Sequence, residues 1–269
     1  MSGLRFFDAN CMVGELTCPQ PSGHPDTVER LASELAYFGI EEALVCHARA
    51  AELALDGGNE SILEVLEGHE NLHPSWVIPM HTAVDYPDPE RIVGEMTEAG
   101  VRAVRVWPPL YHGYLADAWA LGPLWSALSE HKVPVLVGAS DLGRYPDQPG
   151  YGFSARNLYD ICRSFPTLPV IVVRLNFSAV RVAVPLMREC ANLFVELSYF
   201  TTHRGVEFLS SEVGAERLLF GSGLPWASPG PGITAIQYAL IADEARALIA
   251  GENLRRLFAA QRQTAKSPA

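Results

Sequence analysis

Long apolar runs are missing from this 269-residue chain. Its longest, such as Leu168 to Val173, fall far short of the roughly 18 residues that span a bilayer, so a membrane partner is excluded. Positive charge is scarce as well. Twenty basic residues stand against 31 acidic ones, for a net charge of −11 and a pI near 5.2. Nothing here supplies the basic field that displaces phosphate counterions, so nucleic acid is excluded as a partner. Lysine is represented by Lys132 and Lys266 alone, a bias that carries no functional reading. Cysteine is sparse, scattered and odd in number, at Cys11, Cys18, Cys46, Cys162 and Cys190. Without a CxxC it suggests neither a disulfide framework nor a thiolate zinc knot. The opening MSGLRFFDAN lacks the charged flank and apolar core of a signal peptide, and a reducing cytoplasm is the expectation. With 48% apolar and 19% charged residues, the chain is too apolar to be disordered.

What is present is one repeating phrase: an amphipathic helix, a Gly or Pro break, then a short apolar strand. Thr27 to Phe38 is predicted helical, with Val28, Leu31, Leu35 and Phe38 on one face. Asp26 is its expected N-cap and Glu29 completes a capping box. Gly39 ends it, and Ala43 to Cys46 reads as a buried strand. The phrase recurs through predicted strands at Trp76 to Ile78, Ala103 to Val106, Val135 to Val137, Val170 to Val173, Leu193 to Glu196 and Leu218 to Phe220. With an opening strand at Leu4 to Asp8 there are eight. Strands this short and apolar suit a parallel sheet buried on both faces. Eight units favour a closed (β/α)8 TIM barrel over an open sheet, and no glycine-rich dinucleotide fingerprint follows the first strand. The expectation is an α/β fold: one barrel domain over residues 1–260 with extra C-terminal helices, then a polar tail over 261–269. Long connections follow the first, fourth, fifth and eighth strands, on the side where barrel pockets are built.

FDANCMVG (Phe7 to Gly14) and GAERLLFGSGLPW (Gly214 to Trp226) resemble the first-strand FDxHxHxG and the last-strand GxxRLLFGSDxP of the amidohydrolase superfamily, specifically its amidohydrolase-related group. PTLPVIVVRLN and ANLFVELS resemble its sixth and seventh strands, and DEARALIAGENLRRLF its closing helices. The resemblance implies one or two divalent metals. A first-strand histidine pair, histidines ending the fifth and sixth strands, and an aspartate ending the eighth would hold them. Alternate strand residues point the same way, so HxH aims two imidazoles at one ion, which lowers the pKa of bound water to about 7.

This sequence departs from each of those positions. Asn10 and Met12 replace the histidine pair. Gly138 stands at the fifth-strand place, Arg174 at the sixth and Gly223 at that of the aspartate. No cofactor is therefore expected. A divalent metal would need a relocated histidine site, drawn from His47, His81, His112 and His203 beyond other strands. The bland reading of each histidine is a hydrogen-bonded rim residue; His24, His69, His73 and His131 are read as surface residues. Arg174 suits an anionic ligand or else an ion pair with Glu196. Trp107 and Trp226, with neighbouring aromatics, can line a flat ligand or pack the loops.

The resemblance implies a hydrolase acting on a small molecule, for which Arg174 points to an anionic one, with homo-oligomers compatible. His81, His203 and Glu196 are the candidate catalytic residues. Asn10, His47, Arg174, His112, Trp107 and Trp226 are the candidate binding residues. Two rival readings stand beside it: a catalytically inactive barrel that binds a small molecule or a protein, and a metal-free lactonase- or decarboxylase-like enzyme.

Overall fold

The computed structural model describes residues 3–16, 25–52, 55–78, 88–106, 118–138 and 155–265. Eight parallel strands follow one another in chain order in a single sheet. They are β1 (Phe6–Val13), β2 (Ile40–His47), β3 (Leu72–Val77), β4 (Ala103–Val106), β5 (Val135–Gly138), β6 (Val170–Val173), β7 (Leu193–Glu196) and β8 (Leu218–Leu219). The sheet's two ends meet: Ala9 N–H donates to Phe220 O and Gly223 N–H to Asn10 O, each at 3.0 Å. The result is the expected (β/α)8 barrel. No helix among the described residues is long and apolar enough to cross a membrane.

Helices cover the outside with the faces their periodicity marks. In α1 (Val28–Tyr37), Val28, Leu31 and Leu35 are buried; its cap is Thr27, one residue later than expected, whose Oγ1 accepts from Arg30 N–H. Asp26 binds the Arg30 guanidinium instead. In α6 (Ala155–Ser164), Leu158, Ile161 and Cys162 are buried. In α7 (Val180–Glu189), so are Val180, Ala183, Val184, Leu186 and Met187.

The barrel's lower interior packs Phe7, Ala9, Leu44, Ala103, Leu136, Ile171, Val173 and Leu219 against Leu254 and Phe258. The last two belong to α11 (Asn253–Ala265), which closes the N-terminal end and runs past the expected start of the tail. Gln261 is buried there and donates to Val101 O. Beneath the same end, Arg255 Nε binds Glu42 Oε1 at 2.8 Å and His73 Nε2 meets Glu42 Oε2 at 3.1 Å. His73 is thus a packed residue of the barrel floor and not the expected surface residue.

One irregularity positions the site. The β1–β2 register shifts between Asp8 and Cys11, so Ala9 and Asn10 together oppose Leu44 alone. A bulge of this kind re-aims side chains. Phe7 and Ala9 face the interior below it, and Met12 packs with Cys46 and Val77 above it. Cys11 and Val13 join the outer, helix-facing core.

Candidate functional site

A polar layer crosses the barrel just above its apolar floor. At its centre is Arg105, an inward residue of β4 that is 1% exposed. Its Nε donates to Ser75 Oγ at 2.8 Å and its Nη1 to Asn10 Oδ1 at 2.8 Å. Its Nη2 reaches the carbonyls of Leu44 at 3.2 Å and Ala9 at 3.4 Å. Asn10 carries the connection onward, donating through Nδ2 to Glu196 Oε2 at 3.1 Å. Glu196 is fully buried and also accepts from Arg174 N–H at 3.2 Å and from both the N–H and the hydroxyl of Ser198. Burial pushes its carboxyl up from the usual range, while the Ser198 and Arg174 donors pull the other way. A Cβ on Gly221 would lie 2.2 Å from Glu196 Oε1, so the carboxylate sits where it does only because residue 221 is glycine.

Asp8 closes the layer against the seam of the barrel. Its Oδ1 accepts from Asn10 N–H and Ser222 N–H, both at 2.8 Å, satisfying an amide that the bulge removes from the ladder. Its Oδ2 is buried with no partner among the described residues. Burial raises its pKa, with Ser222, Asn10 and the Arg105 charge opposing the rise.

Above this layer is the mouth. Arg174, directly after β6, has a left-handed backbone with φ of 60°, a conformation that costs a non-glycine residue about 1–2 kcal/mol. Such strain persists where surrounding contacts impose it, and here the Arg174 amide is held by Glu196. The guanidinium lies over two rings, Tyr199 at 5.7 Å and Trp226 at 6.0 Å. Its ion pair with Glu196 does not form; Glu196 takes the backbone amide instead. Burial raises the Tyr199 hydroxyl against the Arg174 charge. The fully buried Cys46 thiol is raised by burial too, with both Arg105 and Arg174 opposing. Two fixed positive charges therefore act on one small region.

Of the candidate residues, Asn10, Glu196, Arg174 and Trp226 come together in this way. His47, the last residue of β2, faces elsewhere: its ring lies beside Gly14, and it lines an outer groove with Val28 of α1 and Glu64 of α3 (Leu55–Val65). Its Nδ1 accepts from Arg49 N–H. Burial, then the Arg49 charge, lowers its pKa. His203 is exposed, on a groove of about 750 Å³ with Phe177, Arg181 and Phe208. His81, His112 and Trp107 lie outside the described residues. Arg105, Ser75, Ser198 and Ser222 were not foreseen. Arg105 had a sequence signal: it is the one charge in the predicted strand Ala103 to Val106, where a parallel barrel buries both faces.

An amidohydrolase family model matches residues 51–260. The chain belongs to the amidohydrolase family. No curated protein matches it. Among solved structures, an uncharacterised TIM-barrel protein from Bordetella bronchiseptica superposes with a TM-score of 0.74 at 17% identity, covering 96% of this chain and 99% of that one. A 5-carboxyvanillate decarboxylase from Novosphingobium aromaticivorans, complexed with manganese and 4-hydroxy-3-methoxy-5-nitrobenzoic acid, gives 0.73 at 12% identity, covering 96% of each chain. A probable 2-pyrone-4,6-dicarboxylic acid hydrolase from Acinetobacter baumannii, with citric acid bound, gives 0.66 at 12% identity, covering 95% and 100%. At these identities the likeness is one of fold.

The residues at this family's metal positions do not fit a divalent cation here. Asn10 Oδ1, where a first-strand ligand would act, already holds the Arg105 guanidinium at 2.8 Å. A second unit charge about 4 Å away would be repelled by about 4 kcal/mol at an interior dielectric near 20, and a divalent ion by about twice that. Met12 is packed among Cys46 and Val77. Gly223 has φ of 72°, and a Cβ there would lie 3.0 Å from Ser198 Oγ. Among the described residues no group of three or more His, Cys, Asp or Glu side chains is placed to hold a metal.

Proposed function

We propose that this amidohydrolase-family barrel takes a small, planar carboxylate at its mouth and transforms it by metal-free hydrolysis. The observation that carries the reading is Arg174: a guanidinium on a strained backbone, laid over Tyr199 and Trp226 and paired with no carboxylate among the described residues. A guanidinium fork binds a carboxylate through two parallel hydrogen bonds, and the two rings offer faces to a flat ligand. The Arg105 charge beneath adds to the attraction. In this reading Asn10 and Glu196 position Arg174 from below, and His81 is the acid–base group, with Trp107 and His112 contributing from the fourth loop. A solved relative is complexed with 4-hydroxy-3-methoxy-5-nitrobenzoic acid, a flat carboxylic acid, which supports this ligand class.

A second reading, a binding barrel without turnover, is favoured by Glu196 and Asp8. Both are wholly buried, out of reach of solvent water, and Glu196 already has four donors on its two oxygens. Titration calorimetry with aryl carboxylates and their matched neutral amides tests the clamp. The wild type should bind the acid and ignore the amide, and Arg174→Ala should weaken the acid at least tenfold. Equal binding by the variant rejects the clamp. Chromatography after incubation with carboxylated esters, lactones and amides separates the readings: turnover lost in His81→Ala supports the enzyme, and binding without turnover supports the binding barrel.

A further inference from the structure

We propose that the barrel interior contains a cation cage whose occupant is the chain's own Arg105, tethered in place of the family's metal. Four oxygens from three strands surround the guanidinium: Ala9 O and Asn10 Oδ1 of β1, Leu44 O of β2 and Ser75 Oγ of β3. All four are neutral. Carbonyl, amide and hydroxyl oxygens are the donors that hard cations select. The bulge makes two of them available, because Ala9 and Asn10 have no partners of their own in the β1–β2 register.

An arginine 1% exposed ordinarily meets a carboxylate, since burying an unpaired charge is costly. Among the described residues Arg105 touches none. The negative charge stands one step further out, on Glu196 behind the Asn10 amide and on Asp8, whose Oδ1 holds the Asn10 amide N–H. This is the layout of an ion site, with neutral oxygens in contact and acidic groups behind, and the ion arrives on a side chain. The inference does not depend on the ligand proposed for the mouth.

Chemical rescue tests it. Arg105→Ala should lower Tm, and millimolar methylguanidinium should recover at least half of that loss. The neutral near-isostere N-methylurea at the same concentration should recover none, and neither compound should shift the wild type. No recovery, or equal recovery by the neutral compound, overturns the proposal. If Arg105→Ala does not fold, Arg105→Lys and Arg105→Gln decide. The lysine variant, which keeps the charge, should retain the higher Tm; a glutamine variant as stable or more so overturns the cage. The wild-type Tm should also be unchanged by a chelator, and a fall that Mn²⁺ restores is a contrary result.

Discussion

Replacing Asn10 with leucine removes both functional ends of one amide while keeping its branched heavy-atom skeleton. Two hydrogen bonds go, each to a charged group: Arg105 Nη1 to Oδ1 at 2.8 Å and Nδ2 to Glu196 at 3.1 Å. Bonds of this kind contribute about 1.5–3 kcal/mol each, and the partners left behind are buried and cannot turn to water. Asn10→Leu should therefore destabilise the fold by about 3–6 kcal/mol, a fall in Tm of roughly 5–11 °C for a chain of this size. Urea unfolding followed by far-UV circular dichroism measures it, with an unchanged m-value showing that the same surface is exposed. The isosteric Asn10→Asp separates shape from charge. One oxygen would still accept from Arg105, but the other would face Glu196 Oε2, and two carboxylates that close share a proton. The pair's folded pKa then lies above the unfolded value of about 4, so its stability is fully present below that pH and is lost as pH rises through the folded value. The deficit of Asn10→Asp against the wild type should grow from acid to neutral pH. A loss below about 1 kcal/mol in Asn10→Leu would refute the reasoning, because such small effects belong to surface substitutions.

Asp8, with its folded pKa raised by burial, should likewise contribute stability below its unfolded value that is lost as pH rises through the folded one. Asp8→Asn should therefore improve relative to the wild type between about pH 4 and pH 8, and a gap that stays constant in urea unfolding at both pH values would refute this. Gly223→Asp restores the family's acid in sequence, yet it places a side chain at φ of 72°. It should cost about 2–3 kcal/mol from left-handed strain and crowding against Ser198 and confer no Mn²⁺ affinity by titration calorimetry.

The fold was readable because its units are local. Each helix–break–strand phrase carries its own caps, breakers and apolar face, and eight of them in chain order leave little choice of topology. Strand existence was clear where both neighbours bury it, as at Val170–Val173, while β2 proved longer than expected, at Ile40–His47. The site was less readable. Asn10, Glu196, Arg174 and Trp226 follow from family positions and strand ends, and they do converge. Their roles do not follow, because Arg174 joins Glu196 through its amide and not its guanidinium, and only the left-handed backbone makes that so. Arg105 lies inside a strand, where the sequence pattern signals packing and not a site. His47 was misplaced by parity: the strand's last residue turns outward, while Cys46 before it turns in.

The bulge at Ala9 and Asn10 has a consequence for how this strand tolerates change. In a regular strand, one residue gained or lost turns every later side chain to the opposite face. β1 already contains such an insertion, absorbed within two positions, with Asp8 holding the displaced amide. Phe7 below and Met12 above consequently both face the interior although five positions separate them, an odd spacing that alternation alone forbids. The interior positions of this chain's first strand are thus set by an extra residue clamped by a carboxylate, and the identity of Asp8 governs which way Asn10 points as firmly as Asn10 itself governs what it holds.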